Sequence, residues 1–436
     1  MSSEGASAMS EVKNKAKSVL VPKLRFPEFR GAAVWKLEPL GTLAKRSTVK
    51  NTEVEHVRVL TNSAEFGVID QRDYFEKDIA NQGNLDGYYI VKRGDYVYNP
   101  RISANAPVGP ISKNNIGVGV MSPLYTVFRF TNPNNDFFAH YFKSTHWHRY
   151  MRQASSTGAR HDRISITSDA FMGLPVPVAL PKEEQKVADC LSSLDELIVA
   201  EELKLKVLKM NKIALVPELF PQKGEVVPRL RFPEFRSDPP WVPTKLSDVA
   251  TIQSGGTPAR TNPAYWGGDV PWVTTSLIGA GIILEAEEFI TEAGLKESSA
   301  KVFPQGTLLM AMYGQGQTRG KVAILGIAAA TNQACAAILL KSEDVSTEFV
   351  FQSLNSRYKE IREISNSGGQ ANLSAGLIEN IQLSYPINKD EQEKISTFLC
   401  SFDDLVCMQA QRVESFRVFK KGLMQQLFPS PNEVQE

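Results

Sequence analysis

The sequence predicts an α/β (mixed α+β) protein in which two globular domains are separated by two long antiparallel helices forming a coiled coil, with a pseudo-twofold internal repeat. Three observations predict it. A ten-residue segment returns almost unchanged halfway along the chain, each half ends in a heptad-patterned run, and the stretches between them carry strand-like runs opened by glycine turns.

The repeat comes first because it sets the frame for everything else. Val21-Pro22-Lys23-Leu24-Arg25-Phe26-Pro27-Glu28-Phe29-Arg30 reappears as Val227-Pro228-Arg229-Leu230-Arg231-Phe232-Pro233-Glu234-Phe235-Arg236, with a single Lys/Arg exchange. At the same offset Trp35 matches Trp241, Leu40 matches Leu246, and Leu43-Ala44 matches Val249-Ala250. Later, Leu219-Phe220-Pro221 matches Leu427-Phe428-Pro429. The order is therefore body, helix, body, helix. The expected divisions are a flexible lead at 1–20, a first domain at 21–180, a helix at 181–220, a second domain at 221–387, a helix at 388–429 and a tail at 430–436.

Within each body the elements keep their order while the loops diverge. Gly94-Asp95-Tyr96-Val97-Tyr98 and Gly306-Thr307-Leu308-Leu309-Met310 each read as a glycine turn entering a strand. An aromatic helical stretch follows, Phe137 to Met151 and Phe349 to Ile361, and then a polar loop, 155–163 and 366–372.

The helices are read from spacings of four and three. Val187, Leu191, Leu194, Ile198, Glu201, Leu205, Leu208, Lys212 and Leu215 make one seam; Ile395, Leu399, Phe402, Val406, Gln409, Val413, Phe416, Lys420 and Leu423 make the other. Both carry a polar residue at the same two places, Glu201 with Gln409 and Lys212 with Lys420, which is expected to fix register at some cost in stability. A helix of about 35 residues at ~1.5 Å per residue is a rod of ~50 Å, and two antiparallel rods put the bodies at opposite ends.

Composition narrows the class. Apolar residues make up 42% and charged residues 22% of 436, as in soluble globular proteins, and no apolar run is long enough to span a bilayer. The net charge is only +1, so the broad basic field common in nucleic-acid binders is missing. Residues 36–181 carry 17 Lys and Arg against 13 Asp and Glu, and residues 242–388 carry 10 against 13. Cys190, Cys335, Cys400 and Cys407 have no paired zinc spacing and are expected to be reduced core thiols of a cytoplasmic protein.

The opening of the second body, Ser254-Gly255-Gly256-Thr257-Pro258-Ala259-Arg260 through Tyr265-Trp266-Gly267-Gly268-Asp269-Val270-Pro271-Trp272-Val273, resembles that of a target-recognition domain in the specificity subunits of Type I restriction-modification systems. So do Gly306 to Asn332-Gln333-Ala334-Cys335 and the helices with Glu184-Gln185 and Glu391-Gln392 near their starts. The resemblance runs from about residue 21 to 429. It implies a non-catalytic subunit, without a cofactor of its own, that joins two modification (methyltransferase) subunits using S-adenosylmethionine. In the full complex two restriction (translocase and nuclease) subunits are added, with ATP and Mg2+. Each recognition domain then reads one half of a split double-stranded DNA target and the helices set the unread spacer. Because the two bodies differ in nearly every loop, the target is expected to be asymmetric.

Sequence is read by side chains that reach base edges, so polar loops are the place to look. In the first body the candidates are Arg101, Ser103 and Asn105 after the strand, and Arg160, His161 and Arg163 in the later loop. In the second they are Tyr313, Gln315, Gln317, Thr318 and Arg319, with Gln370 and Asn372. Arg319→Ala is expected to relax readout by about 1 to 3 kcal/mol at one base pair.

Rival chemistries are weaker. Asp238-Pro239-Pro240-Trp241 looks like the D-P-P-W element of adenine methyltransferases, but it lies in the repeated linker and no glycine-rich cofactor loop precedes it. Gly316 to Lys321 fails as a phosphate loop, since Gln315 stands where the first glycine belongs and Val322 replaces the Ser/Thr. Glu184-Gln185-Lys186 offers a nuclease-like E-x-K but reads as an acidic first helical turn, and His146 and His148 have no carboxylate or thiol at metal-ligand spacing. The alternatives kept are a self-sufficient DNA adenine methyltransferase and a coiled-coil scaffold that reads no sequence.

Overall fold

The computed structural model describes residues 20–74, 85–157, 162–279, 281–314, 317–364 and 372–429. The expected lead and tail lie outside them, apart from Leu20. Two compact units emerge, one of residues 1–201 with 412–436 and one of 202–411. Each unit thus takes about half of each long helix.

The centre of the first unit is a four-stranded sheet. Its strands are Ala44–Arg46 (β1), Tyr96–Tyr98 (β2), Ile111–Lys113 (β3) and Thr126–Phe130 (β4), in the order β1-β4-β2-β3. All adjacent pairs are antiparallel. Alternation of side chains along a strand splits its residues between two faces. Tyr96, Tyr98, Phe128 and Phe130 enter an aromatic core with Trp35, Phe137, Phe138, Tyr141 and Phe171, while Val97 and Val127 join Leu60, Val91 and Met121 in a smaller cluster.

The second unit repeats this plan. Ala250–Ser254 (β5), Gly281–Ile283 (β6), Leu308–Ala311 (β7), Val322–Leu325 (β8) and Cys335–Leu340 (β9) run β5-β9-β7-β8-β6. Its first four strands match the order in the first unit, and β6 adds a fifth, parallel to β8. Leu308, Met310 and Ile338 enter one core; Leu309, Ala311 and Ala337 enter another. A sheet buried on both faces needs unbroken apolar strands, which is why these read as runs rather than alternations. Gly94 and Gly306, which open the paired strands β2 and β7, have φ of +90° and +86°, a region that favours glycine.

Each aromatic helical stretch is broken in two. The first becomes Asp136–Tyr141 and His148–Ala154, and the second becomes Thr347–Ser356 and Tyr358–Ile364. The apolar period continues across the breaks, but turns at Phe142 and Arg357 redirect the chain so that both pieces cover the sheet.

The long helices are Pro181–Leu219 (α1) and Lys389–Leu427 (α2). Pro181 sits where a missing N–H costs nothing, and acidic residues fill both first turns, where they complement the helix dipole. Within the first unit the helix halves run antiparallel, as Lys420 pairs with Asp195 while Arg412 reaches Glu201 at 2.9 Å. Within the second unit Lys212 pairs with Asp403, the repeat-equivalent contact. Seam positions Val187, Leu191, Ile198, Glu201, Ile395, Leu399, Gln409, Val413 and Lys420 are buried.

The repeated ten-residue segment is a strap between these halves. In the first unit Leu24 N–H donates to Gln426 O near the end of α2, while Arg25 forms a bidentate pair with Glu183 at the start of α1, both bonds 2.7 Å. In the second unit Leu230 N–H donates to Glu218 O near the end of α1, and Arg231 holds Glu391 at the start of α2 at 2.8 and 2.7 Å. Glu183, not Glu184, is therefore the counterpart of Glu391, a one-residue correction to the sequence pairing.

The thiols also depart from expectation. Only Cys335 is a core thiol, pushed up to about 12 by burial. Cys190 is half-buried, and Cys400 and Cys407 are exposed because they fall off the α2 seam. Among the described residues, no helix is long and apolar enough to cross a membrane.

Candidate nucleic-acid interface

In both units the segment leaving the second central strand meets the later polar loop at one rim of the sheet. In the first unit Ile102 N–H donates to Asp162 O and Ile164 N–H donates to Pro100 O, each at 3.0 Å, so Arg101 lies opposite Arg163. Both arginines stand 3.8 Å from the Asp162 carboxylate. Two cations around one anion leave positive charge at the rim, which suits a polyanion. Ser103 and Ala106 exchange two backbone bonds of 3.1 Å, and this tight turn presents Asn105 to solvent. Arg160 and His161 lie outside the described residues.

In the second unit Met312 N–H donates to Ala334 O at 2.8 Å and Leu373 N–H donates to Met312 O at 3.0 Å. Tyr313, exposed, and Asn372, also exposed, thereby come to the same rim as the turn at 331–335. Gln317 is exposed, with its carbonyl held at 2.6 Å by the hydroxyl of Tyr358, and Thr318 is half-buried. Gln315 and Gln370 lie outside the described residues.

Arg319 departs from the expectation of an exposed loop side chain, being only 8% exposed. The physical reason is local. Gly320, at φ +82°, returns the loop to the sheet, with its N–H donating to Ala311 O at 2.9 Å, and this draws its neighbour inward.

The rim holds residues that loop polarity alone does not single out. Thr257 donates to Gln333 beside the 312–313 segment, and Arg260 stacks on Trp266 with its guanidinium 3.8 Å from the ring centre. Their signal in the sequence was the Gly255-Gly256 pair ahead of Thr-Pro, a sign of close backbone approach.

The rival motifs have structural partners. The Asp238 carboxylate accepts from Asn388 at 2.9 Å, the carbonyls of Asp238 and Pro239 accept from Arg231, and Trp241 is buried with its N–H on Glu391. This element therefore closes the start of α2. Among the described residues, no group of three or more His, Cys, Asp or Glu could hold a metal ion.

Two units of one scaffold, each closing on a polar rim of its own chemistry, define a tandem-repeat protein. A model of the Type I restriction modification DNA specificity domain matches residues 239–414. That stretch takes in most of the second unit and is similar to the specificity domain of Type I restriction-modification systems. The MjaIX specificity subunit of Methanocaldococcus jannaschii is 31% identical over 171 residues, 38% of this chain and 38% of that protein. The EcoR124I/EcoR124II specificity subunit of Escherichia coli is 25% identical over 166 residues, 37% and 40% of the two chains. The MjaVIII specificity subunit of M. jannaschii is 24% identical over 283 residues, 62% and 64%. Each match spans less than two thirds of the relative's length. Among solved structures, the S subunit of a Type I restriction-modification system from M. genitalium aligns with a TM-score of 0.55 at 15% identity, covering 94% of this chain and 99% of that one. A chain of a type I R-M system, solved to show complex assembly and conformational transition, aligns at 0.58 and 15%, covering 91% and 97%. At such identities the likeness shows the fold.

Proposed function

We propose that this chain is the DNA-reading and assembly subunit of a Type I restriction-modification enzyme. Each unit reads one half of an asymmetric bipartite target in double-stranded DNA, and the helices set the length of the unread spacer. Chemistry resides in its partners: two modification subunits that use S-adenosylmethionine, joined in the full complex by two restriction subunits that use ATP and Mg2+. The observation that carries this reading is the repeated strand order with unlike rims, Arg101, Asn105 and Arg163 in one unit against Tyr313, Gln317 and Asn372 in the other. Arginine favours guanine edges and amides favour adenine edges, so unlike rims imply unlike half-sites. The near-neutral charge fits a reader that shares phosphate neutralisation with its partners.

The test is methylation mapping of cells carrying the complete system, before and after residues 242–388 are exchanged for the corresponding segment of another specificity subunit. One half of the methylated motif should change and the other should persist. An unaltered motif would refute the reading, and methyl transfer by the purified chain alone would favour the self-sufficient methyltransferase.

A further inference from the structure

The turn Thr331 to Cys335 belongs to none of the loops nominated from polarity, yet it is joined to the second rim through Met312, which also bonds Leu373. Cys335 N–H closes it on Asn332 O at 3.1 Å, Asn332 N–H donates to Val273 O at 3.0 Å, and Ala334 O accepts from Met312 beside Tyr313. At its tip is Gln333, exposed to solvent.

What faces Gln333 is braced along its length. Gly256 N–H donates to Thr331 O at 2.8 Å, and a Cβ at Gly255 would lie 2.1 Å from that same oxygen, so the close approach needs glycine. Trp272 Nε1 donates to Gly256 O at 3.0 Å, and Trp266 Nε1 donates to Ala259 O at 3.3 Å. Arg260 stacks on both indoles, 3.8 and 4.8 Å from their centres, and forms an ion pair with Glu288. Between these fixed points lies Thr257, whose hydroxyl donates to Gln333 Oε1. That bond sets the amide's orientation, leaving Nε2–H2 as donor and a second oxygen lone pair as acceptor. An amide with one donor and one acceptor in a fixed plane matches adenine N7 and N6 in the major groove. Preorganisation of this kind separates a reading side chain from a mobile surface glutamine.

The first unit offers a comparison. Its equivalent turn is Met121 to Tyr125, closed by Tyr125 N–H on Ser122 O at 3.0 Å, and Pro123 stands where the second unit has Gln333. Proline has no side-chain hydrogen-bonding group, so the same scaffold position is mute in one unit and amide-bearing in the other.

We propose that Gln333 is a specificity-determining residue that reads an adenine-containing base pair in the half-target of the second unit, with Thr257 as its positioning residue. This rests on the function proposed above. The experiment uses the complete modification complex, with methylation motifs and competition binding measured for the wild type and for Gln333→Ala, Gln333→Glu, Thr257→Val and Thr257→Ser. Gln333→Ala should accept other bases at one position, with discrimination there falling about ten- to a hundred-fold. Gln333→Glu, which keeps the size and loses the N–H donor, should change preference at that same position. Thr257→Val should relax it partially and Thr257→Ser should restore it, a rescue that a packing role would not show. Uniform weakening on all sequences in the Gln333 variants would mean a phosphate contact, and an unchanged motif would mean no contact; either overturns the proposal. A wild-type complex that reads a bipartite motif while Gln333→Ala reads it identically refutes this inference alone. A wild-type complex with no motif refutes the function beneath it.

Discussion

Arg25 and Arg231 hold equivalent posts, each tying a carboxylate at a helix start to two backbone carbonyls just past its own strap. Arg231 and Glu391 are 6% and 0% exposed as side chains, so each is tolerable in the interior only because the other is there. His140 makes the opposite use of burial. Its Nε2 is 3.0 Å from Ser192 Oγ, and burial foremost, then the charges of Lys143 and Lys420, lower its pKa to about 4, against the opposing pull of Asp195 and Asp136. An unfolded imidazole gains its proton near 6.5 and the folded one only near 4. The stability held by neutral His140 is therefore whole above about 6.5 and is lost as pH falls through that window. Melting temperatures measured from pH 7 to pH 4 should fall more steeply for the wild type than for His140→Gln. Equal slopes would show that another group governs the acid limb. None of this was legible in the sequence, where His140 is one more polar residue in an aromatic stretch, because its burial depends on a helix about 50 residues away in the chain.

At the scale of elements, spacing carried most of the information. The seams of α1 and α2 follow from intervals of four and three, and the repeat-equivalent ion pairs Lys212 with Asp403 and Lys420 with Asp195 explain how lysine is accommodated in them. Glu201, 8% exposed and paired with Arg412, and Gln409, 6% exposed, are the other polar seam positions. Replacing both by Leu is expected to be neutral to about 4 kcal/mol stabilising, read as a rise in melting temperature; a clear fall would show that their hydrogen bonds matter more than apolar burial. Periodicity could not reveal the breaks at Phe142 and Arg357, since helices meeting at a turn keep the same apolar spacing. It also could not place Arg319, whose burial is decided by Gly320 and its bond to Ala311.

At the scale of the whole molecule, the repeat fixed the number of bodies and their order, but the division of each helix between two units was hidden. That division is made by contacts remote in sequence, and local pattern says nothing of them. Met424, Leu427 and Phe428 lie in the aromatic core of the first unit, and Phe428 packs on Phe137 and Tyr141 with ring centres 5.2 and 5.6 Å apart. A chain ending at Gln411 would lose three core side chains worth about 1.5 to 3 kcal/mol each, together comparable with a typical domain's whole stability of about 5 to 15 kcal/mol. Limited proteolysis of that chain should cut within 20–180 while residues 202–411 stay resistant. Equal resistance of both would show that the first unit does not need its distant segment.

The same arrangement has a consequence for biosynthesis. The ribosome delivers the first unit's sheet early, yet Met424, Leu427 and Phe428, which seal it, emerge only after residues 202–411 of the second unit. Until they do, the Phe137 and Tyr141 surface stays uncovered, so a translational delay between residues 202 and 411 should raise aggregation of the nascent product far more than the same delay placed before the first unit's sheet is made.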